Sequence, residues 1–365
     1  MEAWSPSSAV VRRGSVVPRR GPSAIARRLV RTAAMSVVFP DREVFWAPAA
    51  IAAGSRALRA RRHDVVLATH GPATNLIVGR ALAARYGLPL VVDFRDLWST
   101  LPMEIFPSRA HRATARRLER SIVRASTRLI AVAPQMATDL ASVHGIPRQH
   151  AVSITNGFDP AFAARAIDDR PPGDRPFRIV YTGSVHAHYN LEPLWRVVRA
   201  LADAGAIRPE TFRLEFIGNL AVADVRAHGI EAFVESKPFV PHARVFDAMA
   251  HADALLVVET PGYYARYSYA AKVFDYLLTG KPVIALVERG GNTATLLDVA
   301  KVGYIAEPGD ETSLRTVIER VLALKGSPPR LIDCDAEPLL SFNRRHLVAK
   351  LASVLDEVVA ERSTR

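Results

Sequence analysis

The stretch AKVFDYLLTGKPVIALV, from Ala271 to Val287, is the strongest local pattern in this chain. Its apolar residues recur at helical spacing up to Leu278. Gly280 then occupies a position where helices end in a residue of positive φ, and Pro282 prevents the helix from continuing. The run PVIAL that follows is typical of a buried strand. A helix, a tight stop and a buried strand in this order indicate an α/β unit.

Two charged residues of this predicted helix suggest a ligand. Lys272 and Asp275 lie three residues apart, so their side chains project from neighbouring positions of one helix side. The pair suits a nucleotide diphosphate, with the ammonium on the phosphates and the carboxylate on a ribose diol. The alternative is an ordinary intrahelical ion pair, which contributes ~0.3 kcal/mol to stability. The spacing alone does not choose between these two interpretations.

The composition describes a chain that can fold into two domains of ordinary size. It has 365 residues, of which 49% are hydrophobic, and no apolar run approaches the ~20 residues of a membrane-spanning helix. Cys334 is the single cysteine, which excludes an internal disulfide framework and favours a reducing, cytoplasmic environment.

The positive charge of the chain is concentrated in its first half. The net charge is +12; residues 1–160 hold 23 arginines, no lysine and 10 acidic residues, whereas residues 161–365 hold 25 basic and 26 acidic residues. This asymmetry favours a basic first domain that faces an anionic partner, such as a membrane surface or a phosphorylated carrier. Arginines recur every fourth residue from Arg112 to Arg128, which fits either a solvated helix face or a contact with anionic lipid.

Short strands alternate with longer helices on both sides of a polar, proline-rich linker at 168–176. Before the linker, the pattern predicts helices at 46–58 and 109–126, a helix capped by Thr74 or Asn75, and strands at 64–68, 90–93, 128–133 and 151–155. After it, the pattern predicts strands at 178–182, 213–217 and 254–259 and helices at 191–204, 293–300 and 342–361. Such an alternation indicates parallel α/β layers, in which ligands bind beyond the carboxyl ends of the strands.

The sequence contains no GxxxxGK[ST] run and no GxGxxG run, which argues against a P-loop nucleotidase and a nicotinamide dehydrogenase. Four other motifs stand in the order and spacing of bacterial glycosyltransferase family 4-like enzymes. They are VVDFRDLW (Val91–Trp98), ITNGFDP (Ile154–Pro160), VYTGS (Val180–Ser184) and AKVFDYLLTGKPVIAL (Ala271–Leu286). The chain resembles this family over residues 41–325.

The resemblance implies the GT-B fold, an α/β architecture in which two Rossmann-like, doubly wound parallel-sheet domains face a cleft. It implies an N-terminal acceptor-side domain at 1–165 and a C-terminal domain at 176–340 that binds the nucleotide-sugar. It also implies that a C-terminal helix at 341–365 crosses back to the N-terminal domain.

Two features depart from the family pattern. Relatives begin with a βαβ unit whose glycine-rich loop lines the acceptor side. The resemblance implies that this chain lacks that unit, so that its first domain is truncated and exposes apolar sheet edges. Many relatives also carry two glutamates spaced E-x7-E. Asp275 stands at the second place, where a carboxylate can still hold the ribose, whereas Tyr267 at the first place cannot make the sugar contact.

On the donor side, the resemblance and the strand-end rule give a set of candidate binding residues. Lys272 is expected to stabilise the charge that grows on the departing diphosphate, and Asp275 to hold the ribose hydroxyls. Backbone N–H groups near glycine are expected to approach the phosphates. The remaining donor candidates are Gly183, Ser184, His186, Gly290 and Gly291.

On the acceptor side, the candidates follow two strand ends of the first domain. Arg95 is expected to brace the phosphate or the acceptor, and Asp96 to orient or deprotonate the acceptor hydroxyl. Asp93 and His70 are expected to line the same cleft. The structural alternative is a cluster of Asp93, Arg95 and Asp96 that only fixes its loop. No metal and no other cofactor is expected, because the histidines do not form a metal-binding set and the family does not need one.

The resemblance implies a hexosyltransferase of the retaining type that moves a sugar from a nucleoside-diphosphate sugar to a hydroxyl of a lipid-linked or saccharide acceptor. Its expected role is cell-envelope or exopolysaccharide synthesis. Its expected place is the cytoplasm, with the basic N-terminal domain in peripheral contact with the inner face of the plasma membrane. The alternatives are a truncated, non-catalytic relative and, more distantly, a basic nucleic-acid-binding protein. The latter is disfavoured because the sequence has no nucleic-acid module.

Overall fold

The structure is a computed structural model that describes residues 38–101, 106–165, 175–186, 189–330 and 332–363. It contains two parallel sheets, one for each half of the chain. The first sheet has the strand order β1-β2-β3-β4 and the second has the order β10-β9-β8-β5-β6-β7. Each sheet is packed between helices, so the predicted α/β class with two Rossmann-like domains is confirmed.

The first domain has four α-helices that alternate with the four strands of the smaller sheet. Its elements are α1 (Ala47–Ala60), β1 (Val66–Thr69), α2 (Ala73–Tyr86), β2 (Leu90–Phe94), α3 (Arg109–Ala125), β3 (Arg128–Ala131), α4 (Pro134–His144) and β4 (Ala151–Ser153). Strand β1 lies at the edge of the described sheet, where Leu67 is 43% exposed. The expectation that this domain is truncated stays a prediction, because residues 1–37 lie outside the described residues.

The start of α2 differs from the sequence-based prediction. Its N-cap is Pro72, so the predicted cap at Thr74 or Asn75 is wrong. Thr74 lies in the first turn instead, where its backbone N–H and its hydroxyl donate to the Asp41 carboxylate at 3.0 and 2.5 Å. A carboxylate from a distant segment therefore does what a local cap does in other helices.

The second domain has six strands with helices on both faces. Its elements are β5 (Phe177–Ser184), α5 (Glu192–Asp203), β6 (Phe212–Asn219), α6 (Val222–Ala227), β7 (Val234–Lys237), α7 (His242–Ala250), β8 (Ala254–Val258), α8 (Tyr263–Tyr267), α9 (Lys272–Leu277), β9 (Val283–Leu286), α10 (Asn292–Ala300), β10 (Gly303–Ala306) and α11 (Glu311–Leu322). Strand β5 pairs with both β6 and β8, so the strand order reverses between β5 and β8. In sheets of this type, ligands bind outside the carboxyl ends of the strands at that reversal.

The unit formed by α9 and β9 confirms the interpretation of the strongest sequence pattern. Gly280 has a φ of 62°, in the left-handed region that glycine adopts at no steric cost. A Cβ atom at this position would lie 1.8 Å from the carbonyl oxygen of Arg330, so the close passage of this chain segment also requires glycine. The fully buried Tyr276 hydroxyl lies 3.0 Å from the Thr182 amide and donates to the Leu256 carbonyl at 3.1 Å, which ties α9 to β5 and β8.

The last helix, α12 (Arg344–Ser363), packs against the first domain. Leu347, Val354 and Val358 are buried on Val91 and Ile130 of the first sheet. Arg128 forms ion pairs with Glu361 and, at 4.0 Å, with Glu357. The helix thus covers the sheet face that α2, α3 and α4 leave open.

Candidate active site

A cavity of about 350 Å³ lies between the two domains, beyond the carboxyl ends of both sheets. The first domain contributes Arg95, and the second contributes Asp275 from α9. The other polar residues that line the cavity are Thr155, Asn156, His242 and Arg344. The structure therefore brings together two of the sequence-predicted site residues from opposite domains.

Asp275 projects into this cavity from the first turns of α9. Its Oδ2 atom lies 3.0 Å from Nε2 of His242, at the start of α7. The Asp275 side chain is 29% exposed, so a ligand can reach it. His242 was not predicted from the sequence, because a single histidine after a proline carries no pattern. Its proximity to Asp275 arises only when α7 and α9 pack on the same sheet.

Lys272 points to a different part of the same domain. Its Nζ atom donates to the Tyr181 hydroxyl at 2.9 Å and lies 4.1 Å from the centre of the Tyr181 ring. Burial of the ammonium lowers the pKa of Lys272 to about 8, and the charge of Glu259 opposes this effect. A cation held over an aromatic ring in a partly dry site interacts strongly with an arriving anion.

These contacts exclude the intrahelical ion pair between Lys272 and Asp275, and the role of the two residues in binding a nucleotide stays a prediction. Each side chain bonds a different partner, Tyr181 for the lysine and His242 for the aspartate. The two charges are therefore separate groups on α9 rather than an intrahelical ion pair.

The backbone next to Lys272 is open because of glycine. Gly183, at the end of β5, has a φ of 98°, and a Cβ atom there would lie 3.8 Å from Cε of Lys272. A Cβ atom on the neighbouring Gly218 would lie 2.2 Å from the Gly183 carbonyl oxygen, so only glycine fits there. The Ser184 carbonyl accepts a hydrogen bond from the Tyr181 hydroxyl at 2.6 Å. Gly183 and Ser184 thus lie beside the lysine, at the reversal of the strand order.

The second glycine pair precedes α10. Gly290 has a φ of 80° and open space around its Cα atom. Gly291 is the N-cap of α10, and its N–H donates to the Glu288 carbonyl at 3.0 Å. The Gly291 amide is therefore already hydrogen-bonded within the turn. The feature near this glycine pair that can attract an anion is the N-terminus of α10.

His186 follows the Gly183–Ser184 turn and is exposed. Its ring makes an edge contact with Tyr189, at a centroid distance of 5.2 Å. The predicted contact between His186 and the diphosphate stays a prediction.

On the acceptor side, Arg95 is fixed by the end of its own strand. Its Nε atom donates to Asp93 Oδ2 at 2.9 Å, and its Nη1 atom donates to the Ile154 carbonyl at 3.2 Å. Asp93 is 6% exposed, and burial raises its pKa, an effect that the neighbouring Arg95 charge opposes. Asp93 therefore positions the arginine, while the rest of the guanidinium faces the cavity.

His70 and Asp96 occupy different surroundings near the same loop. Asp96 is exposed and does not line the cavity. His70 is 9% exposed and stacks on Phe94 and Trp98, with ring centroids 5.5 and 5.9 Å away. Desolvation lowers the pKa of His70, so its ring is neutral near pH 7. This packing favours a structural role for His70 over a direct role in the cleft.

A buried polar cluster, which the sequence did not reveal, holds the loop after β2 through Ser99. The Glu119 carboxylate in α3 accepts hydrogen bonds from the Ser99 amide at 2.8 Å and from the Ser99 hydroxyl at 2.9 Å. Its Oε1 atom also lies 2.5 Å from Nε2 of His144, and both side chains are fully buried. We call Ser99, Glu119 and His144 the loop anchor.

Tyr267, at the place where many relatives have a glutamate, bridges the two domains. Its hydroxyl donates to Asp139 Oδ2 at 2.6 Å, and the neighbouring Arg266 lies 3.4 Å from the same oxygen. The side chain is therefore committed to α4 of the first domain.

Within residues 38–101, 106–165, 175–186, 189–330 and 332–363, no three His, Cys, Asp or Glu side chains are grouped so as to hold a metal ion. In the same part of the chain, no helix combines the length and the apolar character needed to cross a membrane.

The chain is similar in sequence to known glycosyltransferases. The model of Glycosyltransferase Family 4 matches residues 10–162. A probable glycosyltransferase, WbjE of Pseudomonas aeruginosa, is 25% identical over 290 residues, which cover 75% of this chain and 71% of WbjE.

Several solved structures share the fold. A glycosyltransferase from Rickettsia africae has a TM-score of 0.63 at 12% identity, over 88% of this chain and 83% of its own. HepE from Anabaena, solved with UDP and glucose, has a TM-score of 0.58 at 18% identity, over 87% of this chain and 83% of its own. The lipopolysaccharide outer core galactosyltransferase WaaB has a TM-score of 0.55 at 13% identity, over 87% of this chain and 81% of its own. The resemblance to family 4-like glycosyltransferases that the four motifs predicted is confirmed, and so is the predicted GT-B fold.

Proposed function

We propose that this protein transfers a sugar from a nucleoside-diphosphate sugar to a hydroxyl acceptor, and that the second domain binds the donor. The observation that carries the proposal is the position of Lys272. Its ammonium lies beside Gly183 at the reversal of the strand order, and Asp275 projects from the same helix into the inter-domain cavity. A cation for phosphates and a carboxylate for a ribose diol are the two groups that such a donor needs.

These groups match what the reaction requires, which is stabilisation of negative charge on the leaving group. Breaking the bond between the sugar and the diphosphate places negative charge on the leaving group, and stabilising that charge lowers the barrier. Lys272 supplies a full charge and the N-terminus of α10 a partial one. Arg95 faces the same cavity from the first domain, where it braces the phosphate or the acceptor. Asp96, which follows Arg95 in the chain, is the proposed group that orients or deprotonates the acceptor hydroxyl.

The finer parts of the proposal rest on similarity. HepE was solved with UDP and glucose, which supports a nucleotide-sugar donor. WaaB acts on lipopolysaccharide, which supports a lipid-linked or saccharide acceptor and a role in cell-envelope or exported polysaccharide synthesis. Family resemblance supports hexosyl transfer with retention and without a metal ion.

Donor binding is the first test of this function. Calorimetry with UDP- and GDP-sugars is expected to give saturable binding to the wild-type protein. Asp275→Ala is expected to weaken it about tenfold, because the ribose loses a charged hydrogen-bond acceptor. Asp298→Ala, an exposed substitution in α10, serves as the matched control and is expected to bind like wild type. A wild-type protein that binds no nucleotide-sugar would overturn the proposal.

Turnover then separates the enzyme from a non-catalytic relative. Addition of a membrane extract rich in lipid-linked saccharides is expected to release nucleoside diphosphate. Binding without release across all such extracts supports a protein that keeps the fold and has lost the reaction.

The arginines that recur from Arg112 to Arg128 bear on membrane contact, and some of them are bonded within the protein. Arg112 donates to the Ser99 carbonyl at 3.4 Å, Arg124 donates to the His144 carbonyl at 3.0 Å, and Arg128 pairs with Glu361. Arg116 and Arg120 are exposed. We propose that these two arginines contact the headgroups of anionic lipid.

The membrane proposal predicts a loss of lipid binding on neutralisation. Arg116→Gln with Arg120→Gln is expected to lower the partition coefficient onto phosphatidylglycerol vesicles about 30-fold, since each cation contributes ~1 kcal/mol. Flotation of the protein with vesicles measures this change. The matched control replaces Arg208 and Arg226, two exposed arginines of the second domain, and is expected to float like wild type. If the Arg116/Arg120 variant floats like wild type, these two arginines do not contribute to membrane binding.

A further inference from the structure

Glu259 is a buried carboxylate that directly follows β8. Strand β8 is the partner of β5 at the reversal of the strand order, so Glu259 and Gly183 stand at the ends of the two strands that flank the ligand position. The Glu259 residue is 7% exposed. Its backbone N–H is fixed by the Leu286 carbonyl at 3.1 Å.

The two oxygens of this carboxylate have different surroundings. One, Oε1, accepts a hydrogen bond from the Thr293 hydroxyl at 3.3 Å, in the first turn of α10. The other, Oε2, is buried and has no hydrogen-bond partner among the described residues. A buried acceptor without a partner costs free energy, and sites that bind ligands are where such groups persist.

The charged and titratable groups that act on Glu259 come from several elements. Lys272 in α9 attracts its charge, Glu288 after β9 repels it, and Tyr189 before α5 interacts with it. Burial raises the pKa of Glu259 to about 7, against the opposing effects of Thr293 and Lys272. Glu288 differs from Glu259 because its Oε2 atom already accepts the Gly262 amide at 2.5 Å.

The chemistry of the ligand follows from this arrangement. A phosphate brings negative charge and no strong donor, so it is drawn to Lys272 and repelled by the carboxylate. A sugar hydroxyl can donate the hydrogen bond that Oε2 does not receive from the described residues. In a nucleoside-diphosphate sugar, the sugar is attached to the phosphate that Lys272 attracts, which puts its hydroxyls within reach of a neighbouring group. Tyr267 is already bonded to Asp139 and does not compete for them.

We propose that Oε2 of Glu259 accepts a hydrogen bond from a hydroxyl of the donor sugar, which makes Glu259 a residue that determines sugar specificity. The inference rests on the proposed function, because it assumes a nucleotide-sugar next to Lys272. It has a consequence for the product. Once the sugar has left, the ionised form of the carboxylate and the bare diphosphate repel each other, which favours release of the nucleotide.

The test compares a nucleoside diphosphate with its sugar conjugate in the same variant. The probes are UDP against UDP-glucose, or GDP against GDP-mannose if GDP binds the wild type more tightly. Glu259→Leu is expected to weaken binding of the sugar conjugate 10- to 100-fold and to leave binding of the free diphosphate unchanged or tighter. Glu259→Gln keeps an acceptor oxygen and is expected to recover most of the sugar affinity.

Glu288→Gln is the matched control, since it removes a nearby charge whose oxygen already has a partner. It is expected to change the affinities for the two ligands by equal factors. The inference is overturned if Glu259→Leu weakens both ligands equally or neither, or if Glu288→Gln reproduces the selective loss. Circular dichroism and thermal melting of each variant establish that it is folded. A wild-type protein that binds neither ligand overturns the proposed function instead, so the two failures are distinguishable.

Discussion

Replacement of Lys272 with methionine is expected to lower kcat about 100- to 1,000-fold, because the leaving diphosphate loses its full positive charge. The effect should fall on kcat more than on KM, since charge on the phosphate grows towards the transition state. Methionine keeps an unbranched apolar side chain of similar length at this partly buried position, so the fold is expected to survive. Release of nucleoside diphosphate under saturating donor measures the change.

The same lysine predicts a pH dependence. The pKa of Lys272 is lowered to about 8, so its ammonium loses the proton at a lower pH than an exposed lysine does. The wild-type kcat/KM is therefore expected to decline as the pH rises through about 8. Arginine keeps its charge throughout this range, so Lys272→Arg is expected to lack the decline even where its overall rate is lower.

Lys325→Met, at an exposed position after α11, is the control for the loss of a lysine. It is expected to leave both kcat and the pH profile at wild-type values. A Lys272→Met protein within threefold of wild-type kcat, or a wild-type profile that stays flat to pH 9.5, would show that this ammonium does not act on the leaving group.

Replacement of Glu119 with alanine is expected to lower the free energy of unfolding by about 3–5 kcal/mol. Glu119 is the centre of the loop anchor, and its removal strands the Ser99 amide, the Ser99 hydroxyl and the His144 ring without an acceptor. These groups are buried, so water does not replace the lost carboxylate without opening the core. Urea denaturation followed by circular dichroism measures the change.

The loop anchor also connects stability to the cleft. Ser99 lies in the same loop after β2 as Arg95, so loss of the anchor is expected to reduce turnover even in the protein that remains folded. Arg116→Ala, an exposed substitution on the same helix, is expected to change the unfolding free energy by less than about 0.5 kcal/mol. If Glu119→Ala proves as stable as that control, the anchor is not a stabilising unit.

Much of the architecture was predictable because the relevant signals are local. Apolar runs, Gly280 and Pro282 mark the end of α9 and the start of β9 without reference to any other segment. The cap of α2 was missed because its acceptor, Asp41, is remote in sequence from Thr74. Local chemistry predicts a cap only when the capping group is itself local.

The residues of the candidate site also fall into two groups, those that local signals predicted and those that they did not. Arg95, Lys272 and Asp275 were predicted because strand ends and helix spacing place them at the edges of the sheets. His242, Glu259 and the loop anchor were missed because their partners come from other elements, and a lone histidine or glutamate in a sequence has no pattern. Burial also depends on these neighbours, and it lowers the pKa of Lys272 while it raises that of Glu259.

The sequence by itself determined the class of fold, the two-domain division and the identity of the residues at the strand ends. These follow from hydrophobic periodicity and from glycine and proline positions, which act within a few residues. Only the tertiary structure decided that Lys272 rests on Tyr181, that Asp275 meets His242, that Tyr267 bonds across the cleft and that Glu259 keeps one oxygen without a partner. The physical reason is that hydrogen bonding and desolvation depend on which surfaces pack together, and packing joins segments that are far apart in the chain.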